Sequence, residues 1–185
     1  SLPVQFLAVD VGPYGGAYVL LRLVHELREL GITAQLGHLQ RKNHDATTSY
    51  SLLQHRDEST LGTDFARTSG WGEGVVVATH WSTGALVERI VTANRGVVPV
   101  AFWQDIESRF ENYAVNGALL PQAVWAPYVR IPNRVVNSPW VGTEADATFA
   151  LGGAWSWIPV GIDTLLFAPR PELRKDARVR VLSMW

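Results

Sequence analysis

Residues 75–83 read Val-Val-Val-Ala-Thr-His-Trp-Ser-Thr. Val75 to Thr79 is a continuous run of apolar and β-branched residues, the pattern of a strand covered on both faces. Thr83 to Asn94 follows with helical spacing. Strand, short polar turn and helix in that order are one half-turn of a parallel α/β sheet. The same unit recurs on either side. Val4 to Val9 reads as a strand, Asp10 to Gly16 as a turn, and Ala17 to Leu30 as a helix, with Val19, Leu20, Leu23, Val24, Leu27 and Leu30 on its apolar positions and Gly31 placed to stop it. Ile32 to Leu39 is the next strand, joined by a right-handed crossover. Val97 to Trp103 is a strand weakened by Pro99. Asn112 to Tyr128 is partly helical, interrupted by Gly117, Pro121 and Pro127. Arg134 to Asn137 is a strand, Ser138-Pro139 starts a helix running to about Leu151, and Trp157 to Val160 is the last short strand. The expected architecture is a doubly wound, mostly parallel, Rossmann-like α/β sheet with helices on both faces.

Two stretches break the pattern. Residues 40–73 are polar and irregular, with a short helix near Tyr50 to His55, and are too long for an ordinary connection. Residues 161–177, rich in Pro and charge, read as a linker, and Arg178 to Trp185 as the first strand of a further domain, the alternative being a strand that completes this sheet. Residues 1–160 are then one domain.

Composition narrows the functional classes. Over 185 residues, hydrophobic residues make up 47% and charged ones 18%, which argues for a folded core rather than disorder. Net charge is −1, so no long-range field gathers nucleic acid. No cysteine is present, which removes thiolate zinc sites, disulfides and cysteine nucleophiles. No apolar run reaches the roughly 18 residues that span a bilayer. The reading is a cytoplasmic protein, with peripheral contact at the inner face of a membrane and homo-oligomerisation left open. Eight tryptophans are scattered without a repeat, several just past strand ends, where they either fill the core or wall a cleft.

The chemistry-bearing residues cluster after strands. Gly12-Pro13-Tyr14-Gly15-Gly16 lets backbone approach a ligand at a helix N-terminus, a place that favours anions; it is also a plain tight turn. It is neither GxGxxG nor a P-loop. His80 suits a general base or a hydrogen bond to a sugar hydroxyl, Trp81 a stacking surface, and Ser82 and Thr83 either ligand contact or helix capping. In Gln104-Asp105-Ile106-Glu107, the two carboxylates share a face if the chain stays extended. They suit hydroxyl recognition, orientation of a base or a helix cap, and a metal site lacks the histidines it needs. Asn137 and Ser138 follow the next strand, and capping accounts for Ser138. His25 and His38 read as structural or exposed, and His44 and His55, in the irregular segment, do not make a ligand pair. The basic run Arg170, Arg174, Lys175, Arg178 and Arg180 reads as a solvated face.

Taken in order, GPYGGA (Gly12 to Ala17), ELRELGITAQL (Glu26 to Leu36), VVATHWST (Val76 to Thr83), FWQDIESRF (Phe102 to Phe110), VVNSPWV (Val135 to Val141) and IPVGIDTLLFAP (Ile158 to Pro169) resemble the N-terminal domain of GT-B glycosyltransferases, the retaining, nucleotide-sugar-dependent family 4 group in particular. The WQDIE stretch is similar to a bacterial branch that builds rhamnose-containing and other surface polysaccharides or decorates secondary metabolites. Val160 stands where that family commonly has Asn, and Pro13 is a departure in the glycine turn. The resemblance implies two facing Rossmann-like domains. The N-terminal one holds the acceptor, and a C-terminal one, absent from these residues, holds a UDP-, GDP- or dTDP-sugar donor. It implies that Gly15 and Gly16 lie beside the donor phosphates, that His80 contacts the transferred sugar, and that Asp105 sits near the acceptor hydroxyl, with Trp81, Ser82, Gln104, Glu107, Asn137 and Ser138 lining the substrate. Transfer would retain configuration, with no cofactor and usually no metal. Alternatives from other classes are a GT-B-like nucleotide-sugar epimerase, a nicotinamide-dependent domain, which the missing GxGxxG disfavours, and a non-catalytic nucleotide-binding or interaction domain.

Overall fold

The structure is a computed structural model and describes residues 2–9, 15–38, 72–106 and 122–161. Six strands form one sheet in the order β2-β1-β3-β4-β5-β6. They are β1 Val4–Ala8, β2 Ala34–His38, β3 Gly74–Ala78, β4 Val97–Trp103, β5 Asn133–Val136 and β6 Ser156–Trp157, and all five pairings are parallel. The described helices are α1 Gly15–Glu29, α2 Trp81–Ala93, α3 Gln122–Val129 and α4 Pro139–Phe149.

Alternation along each strand divides the core in two. Phe6, Ala8, Leu36, Val77 and Phe102 point to one face, where Ala17, Leu20, Leu21 and Val24 of α1 cover them. Leu7, Val76, Ala78, Ala101, Trp103 and Val136 point to the other, under α2, α3 and α4 through Leu86, Val87, Ile90, Tyr128, Val141 and Ala145. The sheet is therefore covered by helices on both faces, which is why its central strands carry no polar alternation.

Local sequence sets the ends of these elements. Gly31, at φ 75°, closes α1 with the Gly31 amide on Arg28 O at 2.8 Å and the Ile32 amide on Leu27 O at 2.9 Å. Pro99 is tolerated inside β4 because pairing with β5 begins only at Val100, opposite Asn133. The Pro99 carbonyl faces that side, where the Asn133 side-chain amide donates to it at 2.9 Å, so the missing N–H falls on an unpaired edge.

Several boundaries differ from expectation. α2 begins at Trp81, two residues before Thr83, because His80 and not a hydroxyl residue is its cap. α3 carries Pro127 inside it, and the Arg130 amide still reaches Ala126 O at 3.0 Å; only one intrahelical bond is lost in so short a helix. β6 is two residues long instead of four. Its ladder ends with the Ile158 amide on Val136 O at 2.9 Å, and Pro159 has no proton to continue it. The helix expected near Tyr50 to His55, the segment Asn112 to Pro121, the linker beyond Gly161 and the strand Arg178 to Trp185 lie outside the described residues. Among the described residues no helix is long and apolar enough to cross a membrane.

α2 and α3 approach closely at Gly84. A Cβ built there stands 2.6 Å from the Tyr128 backbone nitrogen and 2.7 Å from its Cα, and backbone cannot rotate away as a side chain can. The approach also seats the Tyr128 hydroxyl, which donates to the buried Phe102 carbonyl at 2.8 Å. Gly84→Ala is expected to destabilise the protein by about 1–3 kcal/mol, read as a lowered urea midpoint. An unchanged midpoint would mean that the two helices are not in contact at this position.

Candidate functional site

The winding of the sheet changes direction at β1. The chain leaves β1 for β2 on one side, and β3 returns to pair with β1 on the other. The carboxyl ends of β1 and β3 are thus where connections diverge, the usual ligand position in such sheets. Thr79 ties this rim together. Its amide and its buried hydroxyl both donate to Leu7 O, at 3.3 and 2.8 Å.

The loops nominated from sequence stand along this one rim. Gly15 and Gly16 open α1, after β1. His80 follows β3, Gln104 and Asp105 follow β4, and Asn137 and Ser138 follow β5. Gly16 and Gln104 meet directly: a Cβ at Gly16 would lie 3.4 Å from Gln104 Nε2 and 3.5 Å from its Oε1. Among the described residues nothing stands within 4 Å of a Cβ at Gly15. The remainder of the glycine turn, Gly12 to Tyr14, lies outside the described residues, as does Glu107.

His80 is the N-cap of α2. It is extended, at φ −154° and ψ 150°; its Nδ1 accepts the Ser82 amide at 3.2 Å, and the Ser82 hydroxyl lies 2.7 Å from the same nitrogen. Thr83 completes a capping box, its hydroxyl donating to His80 O at 2.7 Å and accepting from the His80 amide at 3.4 Å. Trp81 is half-buried. Its ring centroid is 5.4 Å from that of His80 and 5.0 Å from Trp125, which joins it to a cluster with Phe149, Trp103 and Tyr128.

β4 ends at Trp103 and residues 104–105 bend, so the extended geometry that would put Asp105 on one face with Glu107 stops short of Asp105. Asp105 Oδ1 accepts the Ile106 amide at 2.7 Å, holding its half-buried carboxylate against its own turn. Asn137 braces the rim: its amide donates to Trp103 O at 3.2 Å, its Nδ2 to Gln104 O at 2.9 Å, and its carbonyl accepts from Trp157 Nε1 at 3.2 Å. Its buried Oδ1 has no hydrogen-bond partner among the described residues. Ser138 caps α4, its Oγ accepting the Val141 amide at 3.3 Å, with Pro139 in the first turn. Among the described residues no three His, Asp or Glu side chains gather as a metal-ligand set.

A cavity of about 210 Å³ lies elsewhere, between α1 and the chain after β6, lined by Tyr18, Arg22, Leu23, Phe102, Ile158 and Val160 among others. None of the nominated residues lines it. Sequence reasoning missed the Thr79 tie and the capping role of His80. The signal for the second was Thr83, three residues after His80 and placed to bond back to it.

Comparison of the chain with models of protein families, with curated proteins and with solved structures finds no match.

His80 holds a helix end as well as a rim position, and substitution separates the two. His80→Ala is expected to cost about 1 kcal/mol, whereas His80→Asn, which caps well, is expected to stay close to the parent in chemical denaturation. Equal stability of His80→Ala and the parent would show that the cap bond contributes nothing.

Proposed function

We propose that this chain is the acceptor-side domain of a GT-B, family 4-like retaining glycosyltransferase, which moves a sugar from a nucleotide-sugar to a hydroxyl of a glycan, a lipid-linked glycan or a secondary metabolite. The observation that carries the reading is the meeting of Gly16 with Gln104 on the same rim as His80, at the point where the sheet reverses its winding. Three short connections from adjacent strands there offer backbone amides, an imidazole and a carboxamide, groups that suit phosphoryl and hydroxyl oxygens.

In this reading the start of α1 lies beside the donor diphosphate, where its unpaired amides and dipole favour negative charge. His80 binds the transferred sugar and Asp105 lies near the acceptor. Trp81, Ser82, Gln104, Glu107, Asn137 and Ser138 are the surrounding substrate positions, with Ser82, Asn137 and Ser138 acting also through the backbone they hold. The anomeric carbon exchanges its bond to the diphosphate for one to the acceptor oxygen, and the acceptor proton passes to a phosphate oxygen. The donor is held mainly by a second domain. The site works on the cytoplasmic side, and at the inner membrane face where the acceptor is lipid-linked.

The test is calorimetric titration of the full-length protein with UDP-, GDP- and dTDP-sugars, followed by product analysis with hydroxyl acceptors. Binding of one donor and acceptor-dependent release of its nucleoside diphosphate are expected. His80→Asn should lower transfer on the order of a hundredfold, the size of effect seen on removing one hydrogen-bond donor to a transition state. No donor binding and no transfer would remove the proposal, and a sugar altered without any acceptor would replace it with epimerisation.

A further inference from the structure

The two hydrogen bonds at His80 Nδ1 decide which proton the ring carries. A backbone amide can only donate, so the Ser82 amide at 3.2 Å requires a lone pair on Nδ1. The Ser82 hydroxyl, 2.7 Å from that nitrogen, then has to donate as well, because two lone pairs would otherwise face each other. The neutral ring is left with its proton on Nε2. Its backbone is pinned by the reciprocal bonds with Thr83, and Trp81 packs beside it.

We propose that Ser82 is a positioning residue that fixes His80 as the Nε2-protonated tautomer, so that a ligand meets this ring as a hydrogen-bond donor and not as a base. The group it suits is an oxygen with an available lone pair, a sugar hydroxyl or a phosphoryl oxygen, and it offers no lone pair to take the acceptor's proton. The tautomer follows from the two bonds at Nδ1; the ligand assignment rests on the glycosyltransferase reading above. It also divides the labour at the rim, since the proton released on transfer must go to another group, in that reading a donor phosphate oxygen.

The test is a long-range nitrogen–proton correlation spectrum of the His80 ring in the full-length protein without ligand, at mildly alkaline pH. A proton on Nε2 and a bare Nδ1 are expected. A proton on Nδ1, or a rapidly exchanging mixture, would overturn the proposal. Ser82→Ala is expected to shift the Nδ1 resonance and to admit some Nδ1-protonated ring, and Ser82→Thr to restore the parent pattern, with the helix cap and thermal midpoint retained in both. Ring nitrogens unmoved in Ser82→Ala would show that Ser82 does not position His80. In transfer assays Ser82→Ala should raise the KM of the donor about fivefold, the equivalent of one hydrogen bond, with a smaller change in kcat. If no nucleotide-sugar proves to be a substrate, the functional reading falls, while the ring spectrum still decides the tautomer.

Discussion

Everything at the rim depends on β1 being paired on both sides. Val4 to Ala8 lies in parallel register with Ala34 to His38 on one edge, and Val4 to Leu7 with Val75 to Ala78 on the other. A strand so enclosed exposes neither edge to water, and helices cover both of its faces, so Phe6, Leu7 and Ala8 are all buried while Gln5, nearer the strand's start, pairs with Gln35. The same double pairing compels the chain to cross over β1 and reverse direction. The divergence of the connections is thus a consequence of topology, and the bonds from Thr79 to Leu7 O tie the floor between them.

Around that floor, polar groups are used twice. His80 caps α2, Ser138 caps α4, and Asn137 spends its amide groups on the end of β4, so each of these three also anchors a helix or strand end. Side chains held this way lose little further freedom when a ligand arrives, which is the condition for precise placement. The buried and unpaired Oδ1 of Asn137 is the exception. Leaving such an acceptor unmet costs stability, and the described residues offer no compensation for it.

The fold was readable wherever a strand is apolar throughout. Val75 to Thr79 and Val97 to Trp103 announced themselves within one residue, since burial on two faces leaves no room for polar alternation. Gly31 was readable as a helix stop because few other residues adopt its φ. What could not be read depends on partners distant in sequence. His80 gave no cap signal of its own, since histidine is an uncommon cap, and its role appears only when its ring nitrogen meets the Ser82 amide. β6 looked longer than it is because Ile158 and Val160 are apolar, yet both stand exposed once Pro159 ends the ladder. At the site, sequence placed the loops after the correct strands. It had no means of bringing Gly16 to Gln104, a contact across 88 residues that only the order of strands creates.

The account's central claim is that ligands meet this chain at the carboxyl-end rim beside β1, and a map of backbone amide resonances during titration with a nucleotide-sugar tests it most directly. The account expects the largest shifts at Gly15, Gly16, His80 and Gln104, with the opposite rim near Ala34, Gly74 and Val97 unmoved. Shifts concentrated at that opposite rim, or along the cavity beside Arg22 and Ile158, would contradict it.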